Sequence, residues 1–397
     1  MSIRSLALVG ASLAMCVPAM GFAQTDPQPA AQRDAEDAYA RFVPKPGGQA
    51  TRLDFTFLDD ALRYMVLTMG PSTRQGMSRP RPPRGTRMVY GHESRVRLEG
   101  NRIIFSLLDE NATAPLTAYR EDLERLGSEI DIAALPRTEQ LAYWLNLHNV
   151  AVIEQIARNY PVKSPSRMKL GDGGTPLDTT RFINVAGVAL SPQDIRTKIV
   201  FPNWDNPDVI YGFFRGEVGG PSIQKRAYNG AEVEAQLVSS GGEFVNSLRG
   251  VEGWSDNLLV SKIYEEAAPF YFPALGDDFR DHLLQFANEE VSELIESKST
   301  VKFADYEDTI ADLVAGEREP GYYASEDARV RDGVRITPSL ARFMGERYEK
   351  LEKLRREGKL VGKVIVLPPG PVEPAEDEPA PQPQDEPAAV AEPQGDE

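Results

Sequence analysis

The chain predicts an α+β fold: a helix-rich single domain around a central buried helix, with a small, mostly antiparallel sheet. Three observations carry this. Residues 141–157, LAYWLNLHNVAVIEQIA, form the longest stretch that combines an apolar face with no helix breaker. Amphipathic stretches of helical spacing alternate on both sides of it with short strand-like runs. No internal repeat and no separate second core stand out along the 397 residues.

The central stretch comes first because the others pack around it. Leu141, Leu145, His148, Asn149, Val152 and Ile156 recur at helical spacing, and Asn146 and Asn149, three apart, share a side. An unpartnered buried carboxamide costs about 1–3 kcal/mol, so these two either tie to backbone elsewhere or face a cleft.

The ends read differently. Residues 1–23 carry Arg4, an apolar run at 6–17 too short to span a bilayer, and Gly21-Phe22-Ala23 before Gln24, the pattern of a cleaved secretory signal. The expected localisation is the periplasm or the exterior. The one cysteine, Cys16, lies inside that signal, and Met15 before it is too bulky for a lipoprotein box. The exported chain is then expected to hold no thiol, and so no disulfide, thiolate ligand or cysteine nucleophile. Residues 24–49 read as a linker and 368–397 as an extended Pro/Glu/Ala/Gln-rich tail. The net charge of −16 falls to −8 once the nine acids of 373–397 and Arg4 are set aside. That mild acidity argues against nucleic-acid binding, and the mature chain is expected to have no transmembrane span.

Between the ends, helical spacing runs from Leu53 through Leu58, Leu62 and Met65 to Met69 and stops at Gly70-Pro71. Seven arginines and three prolines between Arg74 and Arg97 read as a solvated loop more readily than as an anion contact. Residues 96–98 and 103–105 flank Glu99-Gly100-Asn101 as a hairpin, and 182–185 and 188–190 flank Ala186-Gly187 as a second. Residues 115–126 form a helix, and Thr138 is placed to cap the central one after Pro136. Ser191 with Asp194 caps a short helix. Residues 209–214 read as a strand running into the glycine-rich loop 215–222. A helix at 231–248, a strand at 258–260 and helices across 261–295 follow. The domain is expected to cover 50–315, with a helix at 338–357 and a closing strand at 361–367 in an extension, 316–367.

Four places resemble the family called domain of unknown function 547 (DUF 547), over about residues 119–272. Residues 142–150, AYWLNLHNV, are similar to its aromatic-Trp-Ile-Asn-x-Tyr-Asn-Ala signature. Ala186-Gly187 with Leu190-Ser191 and Asp194-Ile195 is similar to its glycine followed by Leu-Ser-Leu-x-x-Ile-Glu-His. Residues 216–222 resemble its Gly-x-x-Ser-Cys-Pro-x-Leu loop, and Phe244-Val245-Asn246 its Phe-Leu-Asn helix. In that pattern the Cys and the His look like a thiol–imidazole couple. This chain has Arg196-Thr197 in place of Glu-His and Gly220 in place of Cys, so the resemblance implies loss of both halves together.

Function narrows accordingly. His92, His148 and His282 lack metal-ligand spacing, so neither a metal nor a cofactor is expected. The preferred reading is an exported, non-catalytic protein that binds a ligand or envelope partner, a cell-envelope protein or a glycan, in a degenerate cleft. Trp144, Asn146, Asn149, Gly219 and Gly220 would line it, the two glycines offering unhindered backbone N–H groups. Tyr143 and Trp204 are further candidates for its walls. The alternative is an envelope hydrolase rebuilt around His148, Asp194 and Ser222, and a third reading is a structural role in the envelope.

Overall fold

Every residue from Glu139 to Glu154 is buried in the helix Arg137–Arg158, so this element has no solvent face and the chain wraps it on all sides. The computed structural model describes residues 38–46, 50–82, 87–317 and 337–360. The signal expected at 1–23 with Cys16, the acidic tail and the closing strand expected at 361–367 lie outside those residues.

The helix Glu110–Glu129, capped by Asp109 accepting from the Ala112 N–H at 2.9 Å, packs along the central one. Tyr143 Oη donates to the Leu123 carbonyl at 2.8 Å, and Thr117 Oγ1 to Glu154 at 2.9 Å. The central helix starts at Arg137, and its N-cap is Pro136 with no side-chain bond, not Thr138. Gln140 instead holds the approach, donating to the carbonyls of Ala133 and Leu135.

Among the described residues the strands form four small sheets rather than one. β1 (Val66–Leu67) pairs antiparallel with β2 (Arg102–Ile103), β3 (Lys169–Leu170) with β4 (Thr175–Pro176), and β5 (Ile183–Val185) with β6 (Val188–Leu190). β7 (Val251–Trp254) and β8 (Asn257–Val260) form an antiparallel hairpin, and β9 (Thr300–Phe303) joins β8 in parallel. The β5–β6 turn has Ala186 and Gly187 at φ 49° and 81°, the twist-compatible turn expected of a two-residue hairpin.

Three expected elements differ. The helix before Gly70 runs Thr56–Met65 and gives way to β1, because Val66 and Leu67 take up the ladder with β2. Residues 96–105 do not form a hairpin. The buried guanidinium of Arg102 donates to the carbonyls of Arg97, Glu99, Gly100 and Asn101 at 2.7–3.2 Å, curling the loop around itself and taking acceptors a ladder would need. Residues 209–214 are not a strand either: Pro207–Gly212 is a 3-10 helix whose start is set by Asn206 Oδ1 accepting from the Asp208 N–H at 2.9 Å. An apolar run buried on every side carries no period that separates the two.

The helix Pro338–Arg356 seats Phe343 in a small cluster with Met69, Leu98, Leu313 and Val314. Its cations grip the loop 68–99: Arg347 donates to the Thr68 carbonyl at 2.8 Å and Lys350 to that of Leu98 at 2.7 Å. Buried Arg97 answers with a bidentate bond to Glu346 at 2.7 and 2.8 Å. Arg97 and the side chain of Arg74 are covered, whereas Arg79 and Arg95 pair with Glu93 and Glu252 at the surface, so the arginine-rich stretch is a largely exposed loop pinned by ion pairs, in line with the solvated-loop reading.

Candidate functional site

Asn146 and Asn149 point off the central helix into neighbouring backbone. Asn146 donates to the Tyr228 carbonyl at 2.7 Å and accepts from the Tyr228 N–H at 3.0 Å. Asn149 donates to the Gly212 carbonyl and accepts from the Phe214 N–H, both at 2.9 Å. Each carboxamide therefore acts as a strand-like partner for a segment that has none. Of the two outcomes open for these residues, the structure takes the first, the tie to backbone.

His148, between them in sequence, is fully buried. Its Nε2 stands 2.9 Å from Arg196 Nη1 and its Nδ1 3.0 Å from Asn149 Oδ1. A guanidinium can only donate, so Nε2 is the acceptor and Nδ1 carries the proton. Burial, then the charge of Arg196, lowers the imidazole to about 3, and its one basic lone pair is already engaged.

Arg196 lies in a π-helical stretch, Ile195–Val200, that continues the short helix begun by the Ser191–Asp194 capping box. It has no exposure, and all five of its N–H groups are bonded. Nε and Nη2 reach Glu266 at 3.0 and 2.9 Å, Nη1 and Nη2 reach Asp178 at 2.9 and 2.6 Å, and Nη1 also reaches His148. Burial alone would raise the Glu266 carboxyl, but Arg215 and Arg196 hold it well below the usual range. Two arginines and two carboxylates make a locally neutral cluster. Arg196 at the position where the family pattern has Glu is therefore fully coordinated, and Thr197 turns back to bond the Gln193 carbonyl at 2.9 Å.

Arg215 opens the glycine-rich loop, which lies against residues 307–310. Val218 N–H donates to the Thr309 carbonyl and Gly219 N–H to that of Glu307, both at 2.8 Å, while Gly220 N–H turns to Glu217 at 3.3 Å. The two glycine amides are thus engaged by backbone rather than open toward Asn146 and Asn149. A Cβ on Gly219 would stand 2.8 Å from Glu307 backbone, and one on Gly220 would stand 3.0 Å from Tyr306 Oη and 3.6 Å from Arg215 Cβ. The side-chain direction at 220, where the family pattern has Cys, thus points at Tyr306 and Arg215.

Those two residues wall a cavity of about 530 Å³, together with Ser166, Lys262, Asp305 and Asp308. Asp308 pairs with Arg167 at 2.7 Å and Arg215 with Glu266, while the side chains of Lys262 and Asp305 have no ion-pair or hydrogen-bond partner among the described residues. Behind the wall lies Glu217, 3 % exposed, accepting from the Ser166 N–H at 2.6 Å, with no cation paired to it among the described residues. Burial pushes its carboxyl up to about 7, against the lowering effect of Ser166 and Tyr306.

The raised carboxyl has a testable consequence. The folded state holds the Glu217 proton more tightly than the unfolded chain, which ionises near 4.3, so this group's contribution to stability falls as pH rises from about 4.3 to 7 and then levels. Glu217→Gln keeps the acceptor for Ser166 and removes the buried charge. Urea unfolding is expected to show the variant about 2–3 kcal/mol more stable than the parent at pH 8 and nearly equal at pH 4.5. A gap that does not grow between those pH values would refute the assignment.

The remaining candidates lie apart from this cavity. Ser222 Oγ accepts from the Asn101 N–H at 3.1 Å, and Asp194 accepts from Arg181 at 2.9 Å and closes its capping box. Neither hydrogen-bonds to His148, so the structure does not join His148, Asp194 and Ser222 into a relay. Trp144 is fully buried and meets Phe42 edge-on at 5.1 Å; Tyr143 is equally buried, and Trp204 lies under Arg137, whose guanidinium is 5.2 Å from the ring centre. Among the described residues, no three His, Cys, Asp or Glu side chains are grouped to hold a metal, and no helix is long and apolar enough to cross a membrane. The sequence reading missed Arg215, Glu217, Lys262 and the 305–308 wall. Glu217, a carboxylate inside a glycine-rich turn, was the one local signal available.

Residues 132–245 match the model of a family described as protein of unknown function, DUF547, inside the span over which the resemblance was drawn. No curated protein and no solved structure matches the chain.

Proposed function

We propose that this is an exported protein that binds a small polar ligand, without turning it over, in the cavity walled by Arg215 and Tyr306. The observation that carries the reading is the engagement of His148 and Arg196. The only imidazole near the signature helix has its lone pair committed to a guanidinium, and that guanidinium has all five donors committed in turn. No nucleophile at 220 and no imidazole beside it remain for thiol–imidazole acyl transfer, because Gly220 has no side chain and Thr197, where the family pattern has His, bonds its own helix. What persists is a polar concavity with unpaired charges, which suits recognition. The signal-like residues 1–23 support export, and the Pro-rich acidic tail would act as a solvated tether to an envelope partner.

A saturating panel of ester, amide and glycoside substrates is expected to show no turnover by the mature chain. Turnover that disappears in Lys262→Met would overturn the non-catalytic reading. N-terminal sequencing of the exported protein is expected to begin at Gln24, and recovery of the intact residue 1–23 segment in the exported fraction would overturn the assignment of a cleaved signal.

A further inference from the structure

Resting on the binding role just described, we propose that the ligand class of this cavity is a zwitterion: a free amino acid or short peptide with both a carboxylate and an ammonium. Lys262 and Asp305 line the same cavity, carry opposite charges, and pair neither with each other nor with another described residue. Lys262 lies just ahead of the helix Ile263–Tyr271, and Asp305 lies just past β9. Arg215 adds a second cation to the lining, its Nη2 bonded to Glu266. Asp308 adds a second carboxylate to the lining, shared with Arg167 and Ser164.

The charge arrangement selects among ligand classes. A simple anion would be attracted by Lys262 and Arg215 but repelled by Asp305 and Asp308, and a simple cation would meet the reverse. A neutral sugar would leave both unpaired charges to water. A molecule with both charges compensates both kinds of lining charge at once, and about 530 Å³ has room for a dipeptide. Its carboxylate would lie on Lys262 and Arg215 and its ammonium on Asp305.

The test is calorimetric titration of the full mature chain with alanine and alanyl-alanine, against N-acetylalanine, alaninamide and glucose. At least one zwitterion is expected to bind, and capping either end is expected to weaken it about tenfold or more, the loss of one charge pair. Lys262→Met should make the cap on the carboxylate matter less, and Asp305→Asn the cap on the amine, a pairwise coupling that a merely structural effect would not produce. Both side chains are exposed and unpaired, so the thermal midpoint of each variant is expected to stay unchanged. Capped forms binding as tightly as alanyl-alanine, or glucose binding best with its affinity lost in Lys262→Met, would sink the zwitterion while leaving a binding role intact. Absence of binding by every probe would remove both.

Discussion

Arg196→Met is expected to destabilise the fold by about 3–5 kcal/mol at pH 7, the range for breaking a buried ion network by removing one partner. The substitution keeps most of the volume and removes five donors. Glu266 would retain Arg215, but Asp178 would lose both of its bonds to Arg196, and His148 Nε2 would lose its only partner. Lysine should not rescue it, because a single ammonium has three donors and cannot bridge two carboxylates bidentately. The pH dependence follows from the direction of the shifts. In the parent, Asp178 and Glu266 both titrate below their ordinary values despite burial, so their contribution is present above about pH 4.3 and is lost as pH falls through the folded values. The gap between parent and variant should therefore be widest above pH 5 and narrow toward pH 3, as read by urea unfolding. A cost under about 1 kcal/mol at pH 7 would mean that water already compensates these groups. The same geometry explains why the family pattern cannot be restored one residue at a time: Arg196→Glu would set a third carboxylate between two existing ones.

How much of this was legible depended on whether the cause was local. The central helix, the Ala186-Gly187 turn and the Ser191–Asp194 capping box each have their determinants within a few residues, and the structure has all three. The Arg196 cluster does not. Its partners lie 18 residues before it, 48 before it and 70 after it, and no spacing rule links such positions. The sequence did contain one signal, a charged residue among Ile195, Ile199 and Val200, all fully buried, which requires partners from elsewhere. The 96–105 loop failed for a related reason: Arg102 reads as a polar strand residue until its guanidinium is seen to take four carbonyls. The cavity was missed because its far wall, 305–308, lies beyond the resembling segment and is brought to the glycine loop by main-chain bonds that either sequence alone would not announce.

Asn149→Ala is expected to cost about 3–5 kcal/mol, more than Asn146→Ala, and the order is the informative part. Removing the Asn149 carboxamide orphans three groups at once: the Gly212 carbonyl, the Phe214 N–H and the His148 Nδ1–H. Removing that of Asn146 orphans two, both on Tyr228. Each buried orphan costs about 1–3 kcal/mol, and the truncated side chain leaves a cavity on a helix with no solvent face. Asn149→Asp separates the contributions, since its carboxylate can still accept from Phe214 and His148 but would face the Gly212 carbonyl without a donor. It should therefore fall between parent and alanine at pH 7 and recover on acidification, when a protonated carboxyl can donate. Loss of these bonds also frees the segment that leads into Arg215, so amide exchange at Phe214 should quicken in Asn149→Ala more than in Asn146→Ala. Equal costs for the two alanine variants, with Phe214 exchange unchanged, would show that the signature asparagines only fill space, and the account of them as backbone partners would fail.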